Sequence, residues 1–144
     1  EAIDSYYKDP ESFEFKEEWV EEIKKASHRK FTTGFSLDKP SGDEQLYGTS
    51  AYTRLYDFCG IVLDYDEETK LATIEQRNRM FVGEEIEIMG PDYYSDQLVI
   101  GQMFNDKGEA IDVAPHAQQI ITMKMDKPVD KYFILRKKSE DIHE

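Results

Sequence analysis

From Arg54 onward, apolar residues recur at about every second position in a series of short runs, most of them ended by Gly, Pro, Asn or Asp. That period is the signature of half-buried β-strands, and turn signals every ~8–12 residues point to a sandwich or closed barrel. RLYDFCGIVLDYD (54–66) is one strand, with Gly60 marking a bulge or bend. Asp66-Glu67-Glu68-Thr69 turns the chain into KLATIEQRN (70–78). There Leu71, Thr73 and Glu75 share one face, and Ala72, Ile74 and Gln76 the other. Gly83 precedes EEIEIMGP, which Gly90-Pro91 stops. QLVIGQMFN (97–105), EAIDVA, QQIITMKM and YFILRKK complete six or seven short strands.

The first third differs. Residues 1–15 form a linker punctuated by Asp9-Pro10. A helix over 16–27 carries Trp19, Val20, Ile23 and Ala26 on one stripe. Its acids come first and its lysines last, the order the helix dipole favours, with Glu21 and Lys25 spaced to pair. Residues 31–52 are an irregular loop anchored by Phe31, Phe35, Tyr47 and Tyr52 around Pro40-Ser41-Gly42. The domain proper runs over 16–138, and 139–144 is a frayed tail.

At 144 residues the chain is one domain's worth of sequence, long enough to bury a core without disulfides or metal. Its single cysteine, Cys59, excludes a disulfide framework, a cysteine-ligated zinc site and a self-contained iron–sulfur cluster, and fits a reducing, cytoplasmic compartment. No run approaches the ~20 apolar residues of a membrane span. A net charge of −13 argues against an electrostatic glove for nucleic acid or an anionic membrane. Absence of an initial Met marks the chain as a piece of a longer protein.

No assembled catalytic set is legible. Ser27, Ser36, Ser50, His28 and His116 occur without a G-x-S-x-G elbow, and Cys59 sits among apolar neighbours like a packing residue. Asp64, Asp66, Glu68 and Glu75 mimic part of a calcium loop, but Thr69 replaces the required glycine and the flanks are strands. His28, His116 and His143 lack zinc-ligand spacing. The domain is therefore expected to hold no cofactor and no metal of its own.

Two polar clusters stand out. E-Q-R-N-R (75–79) is either a structural network, with Glu75 pairing Arg77 or Arg54 and Asn78 shaping the turn, or a rim of donors. Gln76, Arg77, Asn78 and Arg79 would then meet a carbonyl or a phosphate. Ala114-Pro115-His116 either caps a corner or places His116 against a substrate or another domain. Basic residues group at 28–30, at Arg77 and Arg79, and at 136–138. If the fold gathers them, a small positive patch survives the net charge.

The order of F-C-G-I-V (58–62), F-V-G (81–83), E-E-I-E-I-M-G (84–90) and I-D-V-A (111–114) resembles the compact Greek-key barrel of translation-factor second domains. In that family the glycine before the E-I-E-I strand turns a corner. Four strings in register resemble the C-terminal domain of collagenase-like peptidases of family U-32. They are S-H-R-K-F-T-T-G-F with Q-L-Y-G-T-S-A-Y, I-E-Q-R-N-R-M-F-V-G-E-E-I-E-I, I-D-V-A-P-H-A-Q-Q and F-I-L-R, and the likeness runs from about Tyr6 to Arg136. A-I-D-S-Y-Y looks like the end of a preceding domain's last helix. The resemblance implies a non-catalytic accessory module that works beside an N-terminal catalytic domain. It implies in the first place a peptidase parent, a hydrolase whose peptide substrate this module helps position; the alternative is transfer or ribosomal RNA, in the members that hydroxylate it. A plain structural cap is the third alternative. Arg54, Gln76, Arg77, Asn78, Arg79 and His116 are the candidate substrate contacts.

Overall fold

The computed structural model describes residues 1–33, 36, 37, 39, 52–92 and 94–139. Phe35, Tyr47, the Pro40-Ser41-Gly42 turn, Ser50 and residues 140–144, His143 included, lie outside them. The chain divides into two compact units, Glu1–Leu55 and Tyr56–Ser139.

In the first unit a helix α1 spans Ala2–Lys8, within the stretch read as a linker and over the A-I-D-S-Y-Y string that the resemblance reads as a helix end. No Pro or Gly interrupts it before Pro10, and Asp9 leaves it in an extended conformation (φ −155°, ψ 87°), as a residue ahead of proline favours. Helix α2 spans Glu17–Lys24, shorter than the stripe suggests. Its pairs form at i,i+3, Lys24 with Glu21 (2.7 Å) and Lys25 with Glu22 (2.8 Å), rather than between Glu21 and Lys25. His28 and Thr53 exchange backbone hydrogen bonds of 3.1 and 2.8 Å in an isolated antiparallel bridge.

The second unit is almost all β. Six strands have five or more residues: β1 Tyr56–Asp66, β2 Leu71–Gln76, β4 Glu85–Met89, β5 Ser95–Val99, β9 Ile120–Lys124 and β10 Ile134–Lys138. Four have two: β3 Met80–Phe81, β6 Met103–Phe104, β7 Ala110–Ile111 and β8 Val113–Ala114. Eight of the ten form one antiparallel ladder in the order β5-β4-β10-β1-β2-β9-β6-β7, and β3 pairs with β8. The last long strand thus lies between the first and the fourth, a crossover arrangement. As paired, the ladder has two ends, β5 and β7. The run 97–105, expected as one strand, is two: β5 pairs with β4 at one end and β6 with β9 near the other.

Two glycines shape the sheet. Register on β10 slips between Phe58 and Gly60, so Cys59 is the bulged residue. Gly60 faces Gln76, and a Cβ there would stand 2.9 Å from Ile74 Cγ2 and 3.0 Å from the Glu75 carbonyl oxygen. Gly83 has φ +91°, the left-handed corner expected ahead of β4.

The core is Cys59, Val62, Ile74, Met80, Ile86, Ile100, Met103, Ile121, Met123 and Leu135 with their neighbours. The expected faces of β2 hold, with Ala72, Ile74 and Gln76 all fully buried. Arg136 and Glu87 are buried as an ion pair (Nε–Oε2 2.8 Å), with Ser95 Oγ donating to the other carboxylate oxygen (2.7 Å) and the guanidinium over the Tyr56 ring. No helix among the described residues is long and apolar enough to cross a membrane.

Candidate functional site

The site begins where the alternation of β2 places a polar side chain inward. Gln76 is fully buried, and its Nε2 donates to the carbonyls of Asn78 (2.9 Å) and Ala114. Its backbone N–H donates to the Gln119 carbonyl (2.9 Å), and the Gln118 N–H donates to its carbonyl (2.7 Å). One buried residue therefore ties the 77–79 turn to the 114–119 segment that carries His116. Neither the Gln76 nor the Gln119 amide oxygen finds a donor.

The turn is held from other sides. The bulged Cys59 carbonyl accepts from Arg77 N–H (2.7 Å) and Asn78 N–H (3.2 Å). Asn78 Oδ1 accepts from Arg79 N–H (2.8 Å), an Asx interaction that fixes the turn. Lys137 Nζ donates to the Arg79 carbonyl (2.9 Å) and to Glu84 Oε1 (2.7 Å), and Glu84 Oε2 accepts from Phe81 N–H (2.9 Å). Arg77, Asn78 and Arg79 are exposed on this staked turn. Arg77 is tethered to Glu75 (2.5 Å), as the structural alternative expected. The Arg79 guanidinium makes no ion pair with any described residue. His116 is exposed, and its carbonyl closes a turn with Gln119 N–H (3.1 Å). Arg54 is exposed in the other unit.

The candidates thus differ in kind. Gln76 is an internal brace, Arg77, Asn78 and Arg79 form one presented turn, and the backbone joins the His116 segment to it. Lys137 and Glu84 complete the support and were not singled out by the sequence, because Arg136-Lys137-Lys138 reads there as a surface cluster. Folding removes Arg136 into the core and turns Lys137 beneath the turn, so that cluster is not a positive surface. At 28–30, His28 stacks on Phe31 and Arg29 lies over the Tyr52 ring.

Chemistry within the domain has little to start from. Burial pushes the Cys59 thiol up to about 12, so it is no thiolate at neutral pH. Asp66 spends its carboxylate on Glu68 N–H (2.8 Å) and Thr69 N–H (3.2 Å), which makes the calcium-like stretch a hairpin turn. No group of three or more His, Cys, Asp or Glu that could hold a metal occurs among the described residues. What the site can do is offer guanidinium and backbone groups, in fixed geometry, to an anion or a carbonyl.

The described residues thus define an antiparallel β domain that presents a braced polar turn. Residues 54–136 match the family described as the peptidase family U32 C-terminal domain, and the chain belongs to that family. It is 38% identical over 136 residues to the tRNA hydroxylation protein P1 of Bacillus subtilis (strain 168), covering 94% of this chain and 32% of that protein. The chain spans about a third of that relative's length. Two crystal structures of the C-terminal domain of a Geobacillus thermoleovorans protein classed among the U32 peptidases are similar as well. One is 38% identical, with a TM-score of 0.54, over 56% of this chain and 99% of that one. The other is 36% identical, with a TM-score of 0.53, over 58% and 93%.

Proposed function

We propose that this domain is a non-catalytic accessory module of a tRNA-hydroxylating protein, and that it helps seat the RNA by presenting the 77–79 turn to its backbone. The observation that carries this reading is the 38% identity, over 94% of the chain, to a protein named for tRNA hydroxylation. The Arg79 guanidinium, exposed and free of any acidic partner among the described residues, supplies the phosphate contact. His116, on the segment braced to the same turn, lies in the same contact region. The chemistry itself belongs to the part of the protein that precedes this domain. Gelatin cleavage by the protease-free domain would overturn its non-catalytic role.

The family name supports a second reading, in which the same turn meets a peptide substrate of a protease. Fluorescence anisotropy of labelled bulk tRNA at low and physiological salt, with denatured collagen peptide in parallel, separates the two. The RNA reading expects binding that weakens with salt, because phosphate contacts release counterions. In the Arg77→Ala/Arg79→Ala variant the salt slope becomes shallower by about one per arginine that contacts phosphate. Peptide binding without RNA binding would move the proposal to the peptidase, and silence from both would leave a structural cap.

A further inference from the structure

The first 25 residues carry an apolar surface that their own fold does not use. Helix α1 has seven residues and α2 eight, and neither buries one of them. Isolated helices shorter than ~12–15 residues are marginal in water, so helices of this length form against something. Between them runs a continuous chain of rings. Tyr7 meets Tyr6 edge-on (5.6 Å between centroids), Tyr6 meets Phe13 (5.5 Å), Phe13 stacks on Trp19 (6.0 Å), and Phe15 meets Trp19 edge-on (5.8 Å). Three of these rings are exposed: Tyr6 at 45%, Phe15 at 61% and Tyr7 at 77%. Contiguous aromatic surface of this kind marks an interaction site.

We propose that this ring cluster is the docking seat for the part of the full-length protein that precedes this domain. Three observations select that occupant. The tRNA hydroxylation relative is matched over 136 residues of the 144, so most of residues 1–25 has a counterpart there. That match occupies only 32% of the relative, and the family description sets this domain at the C-terminal side, which puts the remainder before it. The solved Geobacillus domain is covered to 99% by 56% of this chain, a share that the β unit alone can supply. The β fold thus stands without the aromatic segment, which leaves that segment available to the preceding sequence.

Charge narrows the partner's chemistry. Residues 1–25 hold nine acids and four lysines. Lys16, Lys24 and Lys25 are each engaged by a glutamate. The surface around the rings is therefore acidic, which repels phosphate and suits an apolar protein patch rimmed by Lys or Arg. The inference is independent of whether the parent acts on RNA or on peptide.

The test uses the full-length protein. Hydrogen exchange of peptides from residues 1–25 is expected to slow, by on the order of tenfold or more, relative to unstructured peptide. A Tyr6→Ser/Phe15→Ser double variant is expected to lose that protection while peptides of β1, β2 and β9 keep theirs, which controls for folding. A benzoylphenylalanine photo-cross-linker at Tyr7 is expected to join sequence preceding this domain in the same molecule. Free-peptide exchange rates, or protection unchanged in the double variant, would overturn the proposal. So would cross-links to a second copy, or to tRNA when it is added.

Discussion

Replacing Gln76 with leucine tests whether the presented turn depends on a buried brace. Leucine is similar in volume but donates nothing. The buried Ala114 carbonyl loses its side-chain donor but stays paired to Met80 in the β3–β8 ladder, so the loss is that of one hydrogen bond, ~0.5–1.5 kcal/mol. The Asn78 carbonyl is only part-buried, so water replaces most of its lost bond. Removing the amide oxygen of Gln76, which has no donor, offsets part of the loss. The net expectation is about 1 kcal/mol. For a unit of this size that lowers Tm by ~4–8 °C. Urea unfolding followed by circular dichroism should show a lower midpoint at unchanged slope. The functional consequence is sharper. Gln76→Leu changes no charge, yet Arg77 and Arg79 lose the backbone geometry that holds them, and reordering them on binding costs ~0.5–1.5 kcal/mol per side chain. Over the two arginines that is ~1–3 kcal/mol, so on the RNA reading affinity for tRNA should fall ~5–150-fold. Stability within ~0.5 kcal/mol of the parent would refute the brace. Lost stability with unchanged tRNA affinity would refute its link to the turn.

Three further outcomes follow from the geometry. Arg136→Met strands Glu87 in the core and should cost ~3–5 kcal/mol in thermal unfolding, whereas Glu87→Leu/Arg136→Met should recover to within ~1 kcal/mol of the parent. Gly60→Ala drives a methyl against Ile74 and the Glu75 carbonyl and should cost ~1–3 kcal/mol, read from the urea midpoint. Cys59 should resist thiol reagents at pH 8 until urea is added. Its folded thiol keeps its proton to about 12 against an ordinary 9.0, so the unfolded chain loses the proton first and stability should fall as pH rises between those values.

Strand identity was legible because period two is imposed by the pleat itself, and β2 shows it without exception: Ala72, Ile74 and Gln76 go inward. Where the phase breaks, sequence reading fails. The bulge at Cys59 shifts the β1–β10 register, and on β10 both Leu135 and Arg136 are buried, so a basic run that alternation would leave on the surface becomes a core ion pair and a brace. A bulge is fixed by both strands and by the Gly60–Ile74 contact between β1 and β2, so no window on one strand reports it. The division of 97–105 has the same origin. Ile100 and Gly101 end one pairing and begin another, and partner choice is non-local. Within the candidate site, the sequence named Gln76 among its surface donors on the strength of its amide, although alternation already put it on the face of Ala72 and Ile74, and the structure buries it as a brace. Helix α1 is legible only through the family resemblance, which reads A-I-D-S-Y-Y as a helix end; its apolar residues face outward, and amphipathic reasoning looks for a face turned toward a core.

The charge inventory constrains what such a turn can contribute. Between Tyr56 and Ser139 the chain has sixteen acids and ten bases, and Arg77, Lys127, Arg136 and Lys137 are each committed to a carboxylate. A unit with six more acids than bases cannot supply the long-range attraction by which basic domains capture nucleic acid. At physiological salt, however, screening acts over ~8 Å, so charges farther than that from Arg79 matter little to a phosphate beside it. On the RNA reading proposed above, the effect of the turn would therefore be local: it would orient an RNA held by another part of the full-length protein. Loss of Arg79 should then lower the full-length protein's turnover of tRNA by more than it weakens the domain's own binding, because a contact that positions a substrate is expressed in kcat/KM rather than in the affinity of the isolated module. Equal losses in both would mean that the turn is a binding contact and no more.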